Sequence, residues 1–152
     1  MSTGIYVASS YKDHAIARRF AEDMRQAGVV VNSTWHDGVT DEMVDKNWIH
    51  DGNADDHTAA LRAVAEIGRS VALVVVGNIP STGGGLHFEA GFAIGARKPV
   101  IRATPDYVVD TNPFMASSVF VTNAGIYVPD DRESFHKVLG VVLAFIVAHD
   151  NR

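Results

Sequence analysis

The chain has no cysteine, which removes disulfide frameworks, thiolate nucleophiles and Cys-ligated zinc or iron–sulfur centres from consideration. That absence fits a reducing compartment, and the expected location is cytoplasmic. Basic residues are in the minority as well: 13 Lys and Arg stand against 18 Asp and Glu, a formal net charge of −5. No cluster of Lys and Arg supplies the basic face that a polynucleotide's phosphates require, so a nucleic-acid polymer is a poor partner while a small ligand is not excluded. Long apolar runs are also missing. The longest, residues 138–148, would reach only about 16 Å as a helix against a hydrocarbon core of roughly 30 Å, so no membrane partner is expected. The opening MSTGIYVASS lacks the basic-then-apolar order of a signal peptide.

What is present is ordinary for a globular protein. Hydrophobic residues make up 47% and charged residues 20% of 152 positions, enough for one domain over residues 1–152 with its own core. Short β-rich runs alternate with helix-like segments, the pattern of a parallel sheet covered on both faces. Residues 4–9 (GIYVAS) read as a first strand and 13–27 as the following helix, with Ile16, Phe20, Met24 and Ala27 spaced by three and four. Gly28 stands at the helix C-cap and 29–32 resume as a strand. Periodicity then lapses from residue 34 to 56, where 41–49 are expected to form a short helix. Residues 57–68 read as a helix and 70–76 (SVALVVV) as the clearest strand. After the loop NIPSTGGG (78–85), a helix is expected at about 86–96 and strands at 99–103 and at 119–123 with 126–128. Asp130 and Glu133 resemble a capping box opening a last helix that runs to about residue 148. That helix is apolar nearly all round, which implies deep packing or a subunit interface.

Among the motifs, Gly83, Gly84 and Gly85 lack the spacing of a Rossmann fingerprint, and no P-loop is present. They form a turn able to bring backbone N–H groups and a helix N-terminus to a ligand. Glu89 falls in or just after the first turn of the helix they open, where the helix dipole favours an ionised carboxylate. Such a carboxylate can attack an anomeric carbon or stabilise an oxocarbenium ion, or simply complement the dipole. His36-Asp37, His50-Asp51 and Asp55-Asp56-His57 offer imidazole and carboxylate ligands, but none has a tight metal-binding spacing. They read as solvated loop residues, and no metal is assigned. Tyr11, Trp35 and Trp48 are able to stack on a base or belong to the core. Ser9 and Ser10 are placed to bind a ligand hydroxyl or phosphate, or to cap the helix after them.

The stretch GGGLHFEAGFAIGARKPVI (83–101) resembles the nucleoside 2-deoxyribosyltransferase family, whose pattern is a glycine-containing loop, E-x-G-x-A, a small-residue helix and Lys-Pro-Val entering a strand. The resemblance implies that Glu89 is the nucleophile and that Tyr6, in GIYVASSY, lies beside it. It also implies that Asn112, in TNPFMASS with Met115 and Ser117, reaches the sugar in a neighbouring subunit's site. Ser117 and Ser118 stand where the related 2′-deoxynucleoside 5′-monophosphate N-glycosidases hold a phosphate. Two aspartates common in the family are replaced: Arg62 or a neighbouring alanine takes one place and Gly83 the other.

The fold expected is a flavodoxin-like three-layer sandwich with a five-stranded parallel sheet of order 2-1-3-4-5. In such sheets ligands sit at the carboxyl ends of the strands, which would gather Tyr6, Ser9, Ser10, Tyr11, Gly77, Gly84, Gly85, His87 and Glu89. The activity implied is base exchange on a 2′-deoxynucleoside without any cofactor, by a homo-oligomer, a dimer or hexamer, whose partners are a nucleoside and a free nucleobase. Two alternatives stand beside it. One is hydrolysis of (deoxy)nucleoside 5′-monophosphates. The other is a catalytically inactive nucleotide-sensing module, since IYVASSYKDHAIARRFAEDMRQAG (5–28) looks like a TIR-type domain.

Overall fold

The computed structural model describes residues 4–45, 54–80, 85–109, 115 and 120–151. Among the described residues four strands form one parallel sheet in chain order: β1 (Ile5–Ala8), β2 (Ala72–Val75), β3 (Val100–Arg102) and β4 (Val121–Asn123). Helices fill the intervals: α1 (His14–Gln26), the short α2 (Trp35–Gly38) and α3 (Asp41–Asp45), α4 (Ala54–Arg69), α5 (Gly85–Gly95) and α6 (Arg132–Asp150). The α/β class and the parallel pairing agree with the sequence pattern. No helix among the described residues is long and apolar enough to cross a membrane.

Strand alternation divides the interior into two cores. Ile5, Val7, Ala72, Val74 and Ile101 point to the side packed by Phe20 and Met24 of α1 and by Phe135, Val138 and Val142 of α6. Tyr6, Ala8, Leu73, Val75 and Val100 point to the other, where Ile67 of α4 and Leu86, Ala90 and Ala93 of α5 cover them. Every residue of β1, β2 and β3 is buried, as expected for strands with helices on both faces.

The expected five-stranded sheet of order 2-1-3-4-5 is not formed. Residues 29–32 touch β1 at a single bridge, Ile5 with Val31, in which Ile5 donates to Val30 O at 2.9 Å and accepts from Asn32 N at 2.8 Å. Beyond that point side chains take over the pairing. Ser33 Oγ accepts from Val7 N at 3.0 Å, and Trp35 Nε1 donates to Val7 O at 2.8 Å. The backbone groups of β1's outer edge are thus satisfied without a second strand, and the chain is free to turn into α2.

Other boundaries shift for local reasons. Residues 126–128 leave the sheet: Tyr127 is buried and its hydroxyl donates to Asp23 Oδ2 at 2.8 Å, while Ile126 and Val128 are exposed. The cap of α6 is Asp131, whose carboxylate accepts from Glu133 N and Ser134 N, because Asp130 adopts a left-handed φ of 66°. Nor is α6 deeply packed all round. Phe135, Val138 and Val142 are buried, whereas Leu143 and Val147 face outward.

Candidate functional site

The site lies over the α5 side of the sheet, toward the carboxyl ends of the strands. On α5, Leu86, Ala90 and Ala93 are buried, and Glu89 belongs to the same sheet-facing stripe. Tyr6, at the second position of β1, points to that side as well. Its hydroxyl donates a hydrogen bond to Glu89 Oε2, so the two residues that the family resemblance pairs are in contact.

The electrostatics of Glu89 differ from the expectation of an anion settled at a helix N-terminus. Glu89 is the fifth residue of α5, just past the first turn over which the dipole acts, and burial pushes its carboxyl up to about 7. The hydrogen bond from Tyr6 opposes that rise, and the negative charge of Glu66 adds to it. Tyr6 in turn is driven far above the ordinary phenol range, first by burial and then by the adjacent Glu89 carboxylate. Tyr6 therefore remains a proton donor to Glu89 at any physiological pH, while Glu89 itself is poised between its two protonation states.

Glu66 was not singled out from the sequence. It is buried on α4, where its carboxylate accepts from Thr34 N at 3.0 Å and Thr34 Oγ1 at 2.7 Å. The signal was available: a carboxylate on the inward stripe shared by Ala63, Ile67 and Ser70 needs a partner. Asp13 was also missed as a functional position. Its Oδ2 accepts from Asn78 N at 3.0 Å and Ile79 N at 2.8 Å, which fixes the start of the β2–α5 loop against the start of α1.

Gly77 belongs to this joint. Its φ is 112°, and a Cβ built there would lie 2.5 Å from Asp13 Oδ2, so only glycine admits the carboxylate. Its place at the strand end matches the expectation, but the requirement comes from Asp13. Gly85, by contrast, opens α5 with free space around it.

The remaining residues expected at the site divide clearly. Ser9 is buried and its Oγ donates to Ser10 O at 2.7 Å, while Ser10 Oγ caps the 3-10 turn Tyr11–Asp13 by accepting from Lys12 N at 3.4 Å. The capping role weighed for the pair falls to Ser10 alone. Tyr11 stands edge-on to Trp35 with ring centroids 5.4 Å apart, and Trp35 packs against both cores. His87 is half-buried in the first turn of α5, two residues before Glu89. Met115 is buried among the side chains on the α5 side of the sheet. Gly83, Gly84, Asn112, Ser117, Ser118, Trp48, His50 and Asp51 lie outside the described residues.

His36 is a correction. It is fully buried rather than solvated, with Nε2 2.9 Å from Ser33 Oγ and Nδ1 3.2 Å from Asp37 Oδ1. Burial lowers its proton affinity and favours the neutral ring. Although Ser33, His36 and Asp37 follow one another as a hydrolase triad would, Ser33 is inaccessible and already accepts from Val7 N. The group is a brace. Arg18 completes it by donating to the carbonyls of His36 at 2.9 Å and Val39 at 3.0 Å.

No protein-family model matches the sequence, and no curated protein matches it either. The site's chemistry therefore rests on its own geometry: a half-buried glutamate of raised proton affinity, a phenol donating to it, and a buried carboxylate, Glu66, within its electrostatic reach. Among the described residues no group of three or more His, Asp or Glu is arranged to hold a metal ion.

Proposed function

We propose that the protein exchanges the base of a 2′-deoxynucleoside through a covalent deoxyribosyl intermediate on Glu89. The observation that carries this reading is the hydrogen bond from Tyr6 to a Glu89 carboxyl held near neutrality by burial. In the first half-reaction a Glu89 carboxylate oxygen attacks C1′, and the C1′–N bond breaks with its electron pair passing to the departing base, which takes up a proton. In the second, a nitrogen of the incoming base attacks C1′ and loses its proton. The C1′–O bond breaks and Glu89 is restored as a carboxylate. Two inversions give net retention.

Tyr6 orients the attacking carboxylate and, by hydrogen-bonding its ionised form, keeps a useful fraction of it deprotonated near pH 7. The route draws on carboxylate chemistry alone and calls for no cofactor. The parallel sheet with its site at the strand ends supports a flavodoxin-like assignment for the fold.

The reading includes a homo-oligomer in the cytoplasm, with Asn112 contributed to a neighbour's site. Exposed Phe88 on α5, Leu61 on α4, and Leu143 and Val147 on α6 support association through apolar faces.

The test is base exchange between 2′-deoxynucleosides and free bases, following both products by chromatography. Glu89→Ala is expected to lose at least about a thousandfold in rate, as removal of a covalent nucleophile does. Full activity in that variant would overturn the proposal. Omitting the acceptor base, and comparing a nucleoside with its 5′-monophosphate, separates transfer from hydrolysis. Tight ligand binding with no base release over hours would favour the sensing module.

A further inference from the structure

The described residues hold one buried guanidinium on the same side of the sheet as Tyr6 and Glu89. Arg102 ends β3 in register with Val75, and Val75 is in register with Ala8, so all three point to the α5 side. A charge in an otherwise apolar strand is costly unless it is fully paired. Arg102 is only partly paired among the described residues, and its remaining donors are not shut off from solvent. Its guanidinium makes a single hydrogen bond among the described residues, Nη1 to Asp106 Oδ1 at 2.9 Å, although the Arg102 side chain is 8% exposed and that of Asp106 82%. Nε and Nη2, two parallel donors on one edge of the fork, are left over.

Two residues further on, Thr104 is 2% exposed, and its Oγ1 is buried with no hydrogen-bond partner among the described residues. An unsatisfied buried hydroxyl two residues from an under-used guanidinium gives one strand end two groups able to bind a complementary edge. Both stand at the carboxyl end of β3. Two strand spacings, about 10 Å, separate β3 from β1, so the pair lies across the face from Tyr6 rather than against it.

The charge balance decides what kind of edge fits. Among the described residues Asp106 already pairs with the guanidinium, and Glu66 and Glu89 lie on the same side of the sheet, so a phosphate would add negative charge to a face that already carries more carboxylates than cations. A neutral group presenting two adjacent acceptors would not.

We infer that Arg102 and Thr104 form the base-reading subsite and select a 6-oxopurine, guanine or hypoxanthine, over adenine. This takes the identity of the ligand from the glycosyl-transfer reading above. The Nε and Nη2 donors match the adjacent acceptors N7 and O6, the fork geometry by which arginine reads guanine elsewhere. Thr104 Oγ1 accepts from N1–H, the next group along the same edge. Adenine presents an amino donor at position 6 to the guanidinium and an acceptor at N1, which leaves donor facing donor.

The experiment is calorimetric binding of free hypoxanthine and free adenine to the full chain, where no sugar is present and no turnover can occur. Hypoxanthine is expected to bind at least about tenfold more tightly. Arg102→Met is expected to abolish the preference, and Thr104→Val to weaken hypoxanthine severalfold with adenine unchanged. Equal affinities, a preference for adenine, or a preference that survives Arg102→Met would each overturn the inference. So would tighter binding of 2′-deoxyinosine 5′-monophosphate than of 2′-deoxyinosine with the difference lost in Arg102→Met, since the guanidinium would then serve a phosphate. Should Arg102→Met fail to fold, the wild-type affinities and Thr104→Val decide the matter alone. Base exchange without 6-oxopurine preference would sink the subsite and leave the transferase reading standing. An Arg102-dependent preference without exchange would do the reverse.

Discussion

The Tyr6 hydroxyl donates to the Glu89 carboxylate across 83 positions of sequence, joining the first strand to the helix after the second. This bond works against burial: it favours the charged form of Glu89, while the low-polarity surroundings favour the neutral one. The competition can be read out residue by residue.

Removing the phenol in Tyr6→Phe leaves burial unopposed, so the Glu89 carboxyl rises above its value of about 7. The ionised nucleophile becomes scarcer at neutrality. The acidic limb of the kcat/KM profile for base exchange is expected to move to higher pH, with activity at pH 7 down about tenfold and partly recovered at pH 8–9. A limb that stays in place would show that Tyr6 does not tune Glu89.

Glu66→Gln should shift the same limb the other way. Deleting the Glu66 charge removes one of the influences that raise Glu89, so the carboxyl falls and activity extends to lower pH. The substitution also weakens the acceptor for Thr34 N and Oγ1, and a loss of about 1–2 kcal/mol in urea unfolding is expected alongside. Opposite displacements in the two variants would be hard to obtain from general damage.

The raised Glu89 carboxyl has a consequence for stability. Its folded value of about 7 lies above the ordinary 4.5, so the folded state holds its proton more tightly than the unfolded chain does. This contribution is fully present below pH 4.5 and is lost as pH rises through about 7. Glu89→Gln removes the cost of ionising a buried group. The variant is expected to unfold at higher denaturant than wild type at pH 8, by on the order of 2 kcal/mol, with the gap closing by pH 4. A gap independent of pH would contradict the assignment.

Gly77→Ala and Asp13→Ala probe one joint from two sides. Alanine at 77 needs a left-handed φ and collides with the Asp13 carboxylate, while alanine at 13 strands the N–H groups of Asn78 and Ile79. Each single change is expected to cost about 1–3 kcal/mol. Combined, they should cost less than their sum, because removing the carboxylate relieves the collision. Strict additivity in chemical denaturation would refute the coupling.

Much of this was legible in the sequence where one physical rule dominated. The all-apolar runs IYVA and ALVV declared buried strands, and the spacing of Phe20 and Met24 declared the face of α1. The family resemblance pointed to Tyr6 and Glu89 together, and the fold brings them into contact. What escaped was set by partners far apart in the chain. Nothing local to residues 29–32 shows that Ser33 and Trp35 will replace a strand's backbone pairing, and nothing near His36 shows that it will be buried. Arg102 and Glu66 each interrupt an apolar stripe with a charge. That is a readable signal, but only the folded sheet and α4 show that both charges lie on the side of the sheet that carries Tyr6 and Glu89.

The side-chain pairing along β1 bears on behaviour at high concentration. A strand of four apolar residues at a sheet margin is ordinarily a template for adding another chain. Here Ile5 is bonded to the 30–32 backbone, and Val7 has both its donor and its acceptor occupied by Ser33 and Trp35. The outward-facing backbone groups of Ile5 and Val7 are therefore already bonded and not open to an added strand, so Ser33 and Trp35 close that margin in addition to shaping the turn into α2.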